Sequence, residues 1–253
     1  MRPRRVVASQ IWLDEKMLDA MSLLLPNRMK IVLTRMHDAI FDPYAVRSYS
    51  QEGEDMILRR MFEGQERGFY VDVGAHHPCR FSNTHFFYQR GWRGINIEPN
   101  PDAIRIFQAV RRRDTNLQIG VSDCAGKLVY YSFDEPALNT FSKDVAESRL
   151  ATTPYKLVKT IDVPVERLDG VLRKYMPAKQ EIDFISIDVE GLDFAVLRSN
   201  DWRLFRPKCV LVEALELSLR EAMLSNIVLF METNGYELFA KTFNTFLFRD
   251  HKA

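Results

Sequence analysis

The feature that most constrains this chain is an apolar run that stops abruptly at an acid and a glycine, Gly68-Phe69-Tyr70-Val71-Asp72-Val73-Gly74-Ala75-His76-His77-Pro78. Aromatic and β-branched residues in such a run predict a buried strand that delivers Asp72 and Gly74 to its carboxyl end, where open α/β sheets bind ligands. A glycine there lets a ligand approach the backbone, and Asn83-Thr84 can cap a following helix. Gly94-Ile95-Asn96-Ile97-Glu98-Pro99 repeats the pattern with Glu98 at the end, at the spacing a βαβ unit needs for a ribose-binding carboxylate. The pair predicts a nucleoside-cofactor site, although Asp-x-Gly also ends strands that bind nothing and the full Gly-x-Gly-x-x-Gly spacing is missing.

With 253 residues, 46% hydrophobic and 27% charged, the chain can bury one large α/β core. Lys+Arg 35 against Asp+Glu 34 leaves a net charge of +1, which gives no global footprint for nucleic acid. Cys79, Cys124 and Cys209 stand far apart without Cys-x-x-Cys spacing, so neither a disulfide framework nor a zinc site is expected and the cytoplasm is the simpler address. Acidic residues Asp14, Glu15 and Asp19 interrupt the amino-terminal apolar pattern, so no signal peptide is expected, nor a transmembrane span.

Apolar positions at helical spacing, broken by Pro26-Asn27, predict two amphipathic helices within a 1–48 extension, read as a cap on the core or a contact between copies in a homo-oligomer. The rest, 49–253, reads as one domain. Ser50, Gly53 and Glu54 suit a helix start that could also place Ser50 or Gln51 on a ligand. A helix from Pro101 to about Arg112 is expected to bury Ile104, Phe107 and Val110 and to turn Arg105, Arg111, Arg112 and Arg113 outward. Leu117 to Val121, ending in Ser122-Asp123, reads as the third strand, and Lys127 to Phe133 as an extra one. Asp134 to Thr153 reads as a polar, irregular lid or substrate loop, part of an insertion near 134–160. The strand from Ile182 ends in Asp188-Val189-Glu190-Gly191, where Asp188 and Glu190 would share a strand face; crowded carboxylates there bind a cation, take a proton or cap a helix. A strand ending at Glu213, a helix from Leu217 to Asn234 closed by Gly235 and a terminal hairpin complete a mostly parallel sheet.

Together, Tyr49 to Asp55, Val71 to Pro78, Ser82-Asn83-Thr84, Gly91 to Pro99 and Asp183 to Gly191 resemble the FkbM family of S-adenosylmethionine-dependent methyltransferases, in the family's order. The resemblance covers roughly residues 49 to 215 and implies a Rossmann-like seven-stranded sheet of the class I methyltransferase type. It implies O-methylation of a hydroxyl, often on a sugar or polyketide, hence a small-molecule or glycan acceptor. It further implies that Asp72, Gly74 and Ala75 line the methionine end of the cofactor, that Glu98 accepts the ribose hydroxyls and that Ser122 and Asp123 border adenine. Ser50, Gln51 and Asn83 would serve its carboxylate and amine.

Methyl transfer to a hydroxyl needs alignment and a proton acceptor. The groups available are His76, His77, Asp188, Glu190 and Glu213, with Asp188 and Glu190 first and His76 behind them. The two carboxylates could instead hold a divalent cation. Competing readings are a nicotinamide-dependent oxidoreductase, which the few glycines after Val73 and the lack of a Tyr-x-x-x-Lys dyad disfavour, and a non-catalytic cofactor-binding module.

Overall fold

The computed structural model describes residues 26–29, 31–32, 45–215 and 217–252. Residues 1–47 form one unit and 48–253 another. Of the two expected amino-terminal helices, only 27–29 and 31–32 are described, and these are helical. Apart from residues 26 and 45–48, the rest of that extension lies outside the described residues, and with it the expected contact between copies.

The second unit begins with α1 (Glu54–Met61), β1 (Phe69–Val73), α2 (His85–Gln89), β2 (Arg93–Ile97), α3 (Pro101–Val110) and β3 (Thr115–Leu117). Then come β4 (Gly120–Val121), β5 (Gly126–Phe133), a 3-10 turn (Pro136–Leu138), α4 (Lys143–Thr152) and β6 (Leu157–Glu166). The chain closes with α5 (Leu168–Tyr175), β7 (Phe184–Ile187), α6 (Asp193–Arg198), β8 (Cys209–Glu213), α7 (Leu219–Ala222), α8 (Asn226–Thr233), β9 (Tyr236–Lys241) and β10 (Thr245–Asp250).

A seven-stranded sheet runs in the order β3-β2-β1-β7-β8-β10-β9, parallel except at β10, which is antiparallel to both neighbours. It is the mixed, mostly parallel sheet of a Rossmann-like fold. A smaller sheet, β4-β6-β5, stands beside it. Strand β1 is buried at every position, as expected of a parallel strand covered on both faces. Val71 and Val73 enter the larger core with Ile185, Ile187 and Val210, while Tyr70 packs on the opposite face with Phe87, Trp92 and Phe184. Strand order reverses between β1 and β7, and that switch point fixes where a ligand can enter. No helix among the described residues is long and apolar enough to cross a membrane.

Several boundaries differ from the sequence reading. The expected third strand splits: β3 ends at Leu117, and Gly120-Val121 joins the small sheet, where a Cβ on Gly120 would sit 2.6 Å from the Phe141 ring. The segment 134–153 is not irregular. It carries α4, capped by Ser142, whose hydroxyl accepts from Val145 N at 3.3 Å. Only Ala146 of that helix is buried, so no amphipathic pattern announced it. The expected 217–234 helix is two, because Ser225 stops the chain and caps α8 afresh; Gly235 (φ 80) follows it as expected. After α3, Arg111 turns inward and is fully buried, while Val110 is 49% exposed, the reverse of the expectation. Helix α3 ends at Val110, so the helical face extrapolated to Arg111 no longer applies there.

Candidate active site

The carboxyl ends of β1, β2 and β7 border a cleft of about 800 Å³, mouth included. Its floor comes from the turn after β1. Gly74 has φ 79, and its N–H, like that of Ala75, is bonded to Ile97 O, at 3.0 and 3.1 Å. A Cβ on Gly74 would lie 1.7 Å from the Asp188 carbonyl oxygen. Contact between the β1 and β7 turns therefore requires the glycine, a reason separate from the expected approach of a ligand. Gly74 and Ala75 nevertheless line the cleft. Three non-glycine residues of the lining, His76, Phe81 and Glu190, hold left-handed backbone at φ 53, 54 and 55, strain of the kind that gathers at functional sites.

Asp72 and Glu98 face this space from β1 and from just beyond β2. Both are nearly buried, and desolvation raises both carboxyls, to about 6 for Asp72 and about 7 for Glu98. Thr84 Oγ1 donates to Asp72 Oδ2 at 2.9 Å. Glu98 accepts from His76 N at 2.8 Å and Asn100 N at 2.7 Å, one bond per oxygen, which holds it rigidly and leaves further acceptor capacity on each oxygen.

Asn83 and Gln51 line the cleft as expected. Asn83 Nδ2 donates to Ser186 Oγ at 3.0 Å, while its Oδ1 is buried without a partner. Ser50 is elsewhere: its oxygen accepts from Gly53 N and Asp55 N, and its hydroxyl donates to Asp55 Oδ1, so it braces the start of α1. Ser122 and Asp123 are also absent from the lining, where Ile119, Gly120 and Val121 stand instead. Asp123 is paired to Arg198 at 2.5 Å. The small-sheet excursion at β4 moves those two residues past the cleft.

The carboxylates after β7 meet by a route other than the expected one. Strand β7 ends at Ile187, so Asp188 and Glu190 share no strand face. The parallel register Ile187↔Val212 sets Asp188 beside Glu213, and the left-handed turn at Glu190 folds its side chain back. Asp188, Glu190 and Glu213 can bring one oxygen each within 4.8 Å of one another, spacing that suits a divalent cation or shared protons. Desolvation, and then neighbouring carboxylates, hold Asp188 and Glu213 well above the usual carboxylate range. Glu190 is ion-paired with Arg149 of α4, and its carbonyl accepts from Thr140 Oγ1 at 2.7 Å. No side chain caps α6, Glu190 included; Asp193 at its start instead braces the preceding turn, accepting from Val189 N at 3.0 Å and Gly191 N at 3.1 Å. His76 lines the cleft with a buried, unpartnered Nε2, and burial lowers it to about 4, so its imidazole is neutral near pH 7. His77 is turned to its own loop, Nδ1 accepting from Cys79 N and Arg80 N.

Sequence reasoning missed Tyr130, Asn139 and Phe141, which wall the cleft, together with Arg149. The alternation of β5 was the one local signal, pointing to Tyr130.

A cleft at the switch point of a mostly parallel sheet, with acids at the first two strand ends, is the ligand-binding end of a Rossmann-like fold. The model of the FkbM methyltransferase domain matches residues 72–238, and the chain belongs to that methyltransferase family. Among solved structures, the C-terminal domain of precorrin-6Y C5,15-methyltransferase from Rhodobacter capsulatus is similar at 12% identity, covering 78% of this chain and 86% of that one, with a TM-score of 0.36. No curated protein matches significantly.

Proposed function

We propose that the protein is an S-adenosylmethionine-dependent O-methyltransferase acting on a hydroxyl of a sugar or glycoconjugate. The observation that carries this reading is the meeting of Asp72, Glu98, Asp188 and Glu190 on one cleft, with Glu213 joining the last two from the adjoining pocket. The cleft fits the cofactor on its own polar atoms. Glu98 is tied on each oxygen yet can accept two ribose hydroxyls, and Asp72 Oδ1 is left for the ammonium group. The unpartnered Asn83 Oδ1 is a second acceptor for that end.

The bound sulfonium supplies an activated methyl group, so the protein must align the acceptor, exclude water and receive a proton. Asp188, crowded by Glu213, accepts hydrogen bonds or that proton, and a raised pKa makes it the stronger base when ionised. Neutral His76 is the second proton acceptor on the same lining. The spacing of the three carboxylates favours a second route, in which a divalent cation replaces the shared protons and lowers the acceptor's pKa. Free thiols at Cys79, Cys124 and Cys209 fit a reducing compartment such as the cytoplasm.

The deciding experiment is a panel of sugar, nucleotide-sugar and glycan acceptors with methyl-labelled cofactor, run metal-free and with Mg²⁺ or Mn²⁺. Label in an alkali-stable ether of one acceptor supports the reading; cofactor binding without transfer to any hydroxyl acceptor counts against it. Full activity without metal removes the cation route.

A further inference from the structure

Behind the cleft, the sheet face that carries Tyr70 and Asp72 holds a buried charge that cofactor contact alone does not explain. Arg111 is fully buried, a state arginine rarely adopts unless paired. Its Nε lies 3.4 Å from Asp114 Oδ2, and its guanidinium stands over the rings of Tyr88 and Tyr70, at 4.5 and 5.8 Å. Asp114 is anchored by Tyr70 OH at 2.8 Å, Asn96 Nδ2 at 3.0 Å and Gly94 N at 3.0 Å. That carboxylate already balances the arginine. Its Nε and Nη1 are buried without a hydrogen-bond partner, and the side-chain hydrogen bond it does make runs from Nη2 to Thr84 Oγ1, toward the cleft.

Donor inventory gives this contact a direction. Arginine only donates, so the Thr84 oxygen accepts there. Ser82 Oγ accepts from His85 N at 3.1 Å and lies 3.2 Å from Thr84 Oγ1, so its own proton can go to Thr84. With its oxygen accepting on that side, the single hydroxyl proton of Thr84 is committed to Asp72 Oδ2, at 2.9 Å.

We propose that Arg111, which does not line the cleft, is a positioning residue that acts through Thr84 to hold the Asp72 carboxylate with one oxygen tied and the other presented to the cofactor's ammonium group. This rests on the reading of Asp72 as an ammonium partner. The electrostatics agree. Burial raises Asp72, the Thr84 hydroxyl and Arg111 lower it, and Asp114 raises it. The other titratable groups coupled to it are Tyr70 on its own strand, Glu98 after β2 and Asp188 after β7. Cutting the relay therefore moves Asp72 upward, and ammonium binding is lost at a higher pH.

The test is calorimetric binding of S-adenosylhomocysteine, which carries the same ammonium group, from pH 5.5 to 9, on variants whose fold is checked by circular dichroism. Thr84→Val should move the low-pH loss of affinity up by about one pH unit, weaken binding about twofold near pH 7 and about eightfold at pH 5.5, and recover toward the wild-type value above pH 8.5. Thr84→Ser, which restores the hydroxyl, should stay within about twofold of wild type, and Arg111→Lys should shift the profile in the Thr84→Val direction. If Arg111→Lys fails to fold, Thr84→Val alone decides. A Thr84→Val profile parallel to wild type, whether weakened equally at every pH or not at all, overturns the relay. Asp72→Asn separates the premise: undiminished binding in that variant overturns the assignment of Asp72 and the relay with it. Weakened binding in Asp72→Asn beside an unshifted Thr84→Val overturns the relay alone.

Discussion

Strand β1 of the central sheet is buried along its whole length, whereas β6 of the small sheet is exposed at about half of its positions, yet both sheets border the same cleft. A strand covered on both faces can offer chemistry only near its end, and that is where Asp72, Glu98, Asp188 and Glu213 stand. The small sheet and its insertion add a wall, Tyr130, Asn139 and Phe141, and one charge, Arg149, that clamps Glu190. Under the proposed function the difference amounts to a division of labour, in which the central sheet would carry cofactor and proton and the insertion would shape what else enters.

If that division holds, the largest effect comes from the strand ends. Asp188→Asn should lower turnover by about 10²- to 10⁴-fold, the usual contribution of a general base, while cofactor affinity stays within a few-fold. Steady-state rates beside calorimetry check this, and normal turnover would remove Asp188 from the chemistry.

Next in size, Glu98→Ala should weaken cofactor binding by roughly 3 kcal/mol, about a hundredfold, from the loss of charge-assisted ribose bonds. Unchanged affinity by titration would take Glu98 out of the site.

Gly74→Ala acts on the frame instead. Its Cβ would collide with the Asp188 carbonyl, so we expect about 1–3 kcal/mol of destabilisation in a denaturant midpoint. A variant as stable as wild type would show that the turns can part without cost.

The pH dependence sharpens the comparison further. Folded Asp72 and Glu98 sit at about 6 and about 7, above their unfolded values near pH 4, so the folded state holds protons that the unfolded chain has released. Their contribution to stability is therefore most favourable below about pH 4 and declines as pH rises through about 7, while cofactor affinity, which uses the ionised forms, rises over the same window. Glu98→Gln should accordingly gain stability relative to wild type at pH 8 compared with pH 5; the opposite trend in paired chemical melts would refute the sign.

The smallest expected effect is in the insertion. Arg149→Gln removes a half-buried pair and should cost about 1–3 kcal/mol of stability and raise the acceptor KM several-fold, with cofactor affinity unchanged. A loss of cofactor affinity there would break the division between the two regions.

What the sequence by itself determined is what nearest neighbours dictate. Apolar runs placed β1, β2, β7 and β8, and acids at their ends located the end of the sheet where the cleft opens, because burial on both faces leaves a strand few other places for a charge. Tertiary structure decided everything that depends on a partner far along the chain. Glu213 reaches Asp188 through parallel register, Arg149 crosses from α4 to Glu190, and Gly74 answers to the Asp188 carbonyl. Arg111 looked like one more solvated arginine until Asp114, Thr84 and two tyrosine rings closed around it. A residue's type fixes what it can donate or accept; only packing fixes which group is there to answer it.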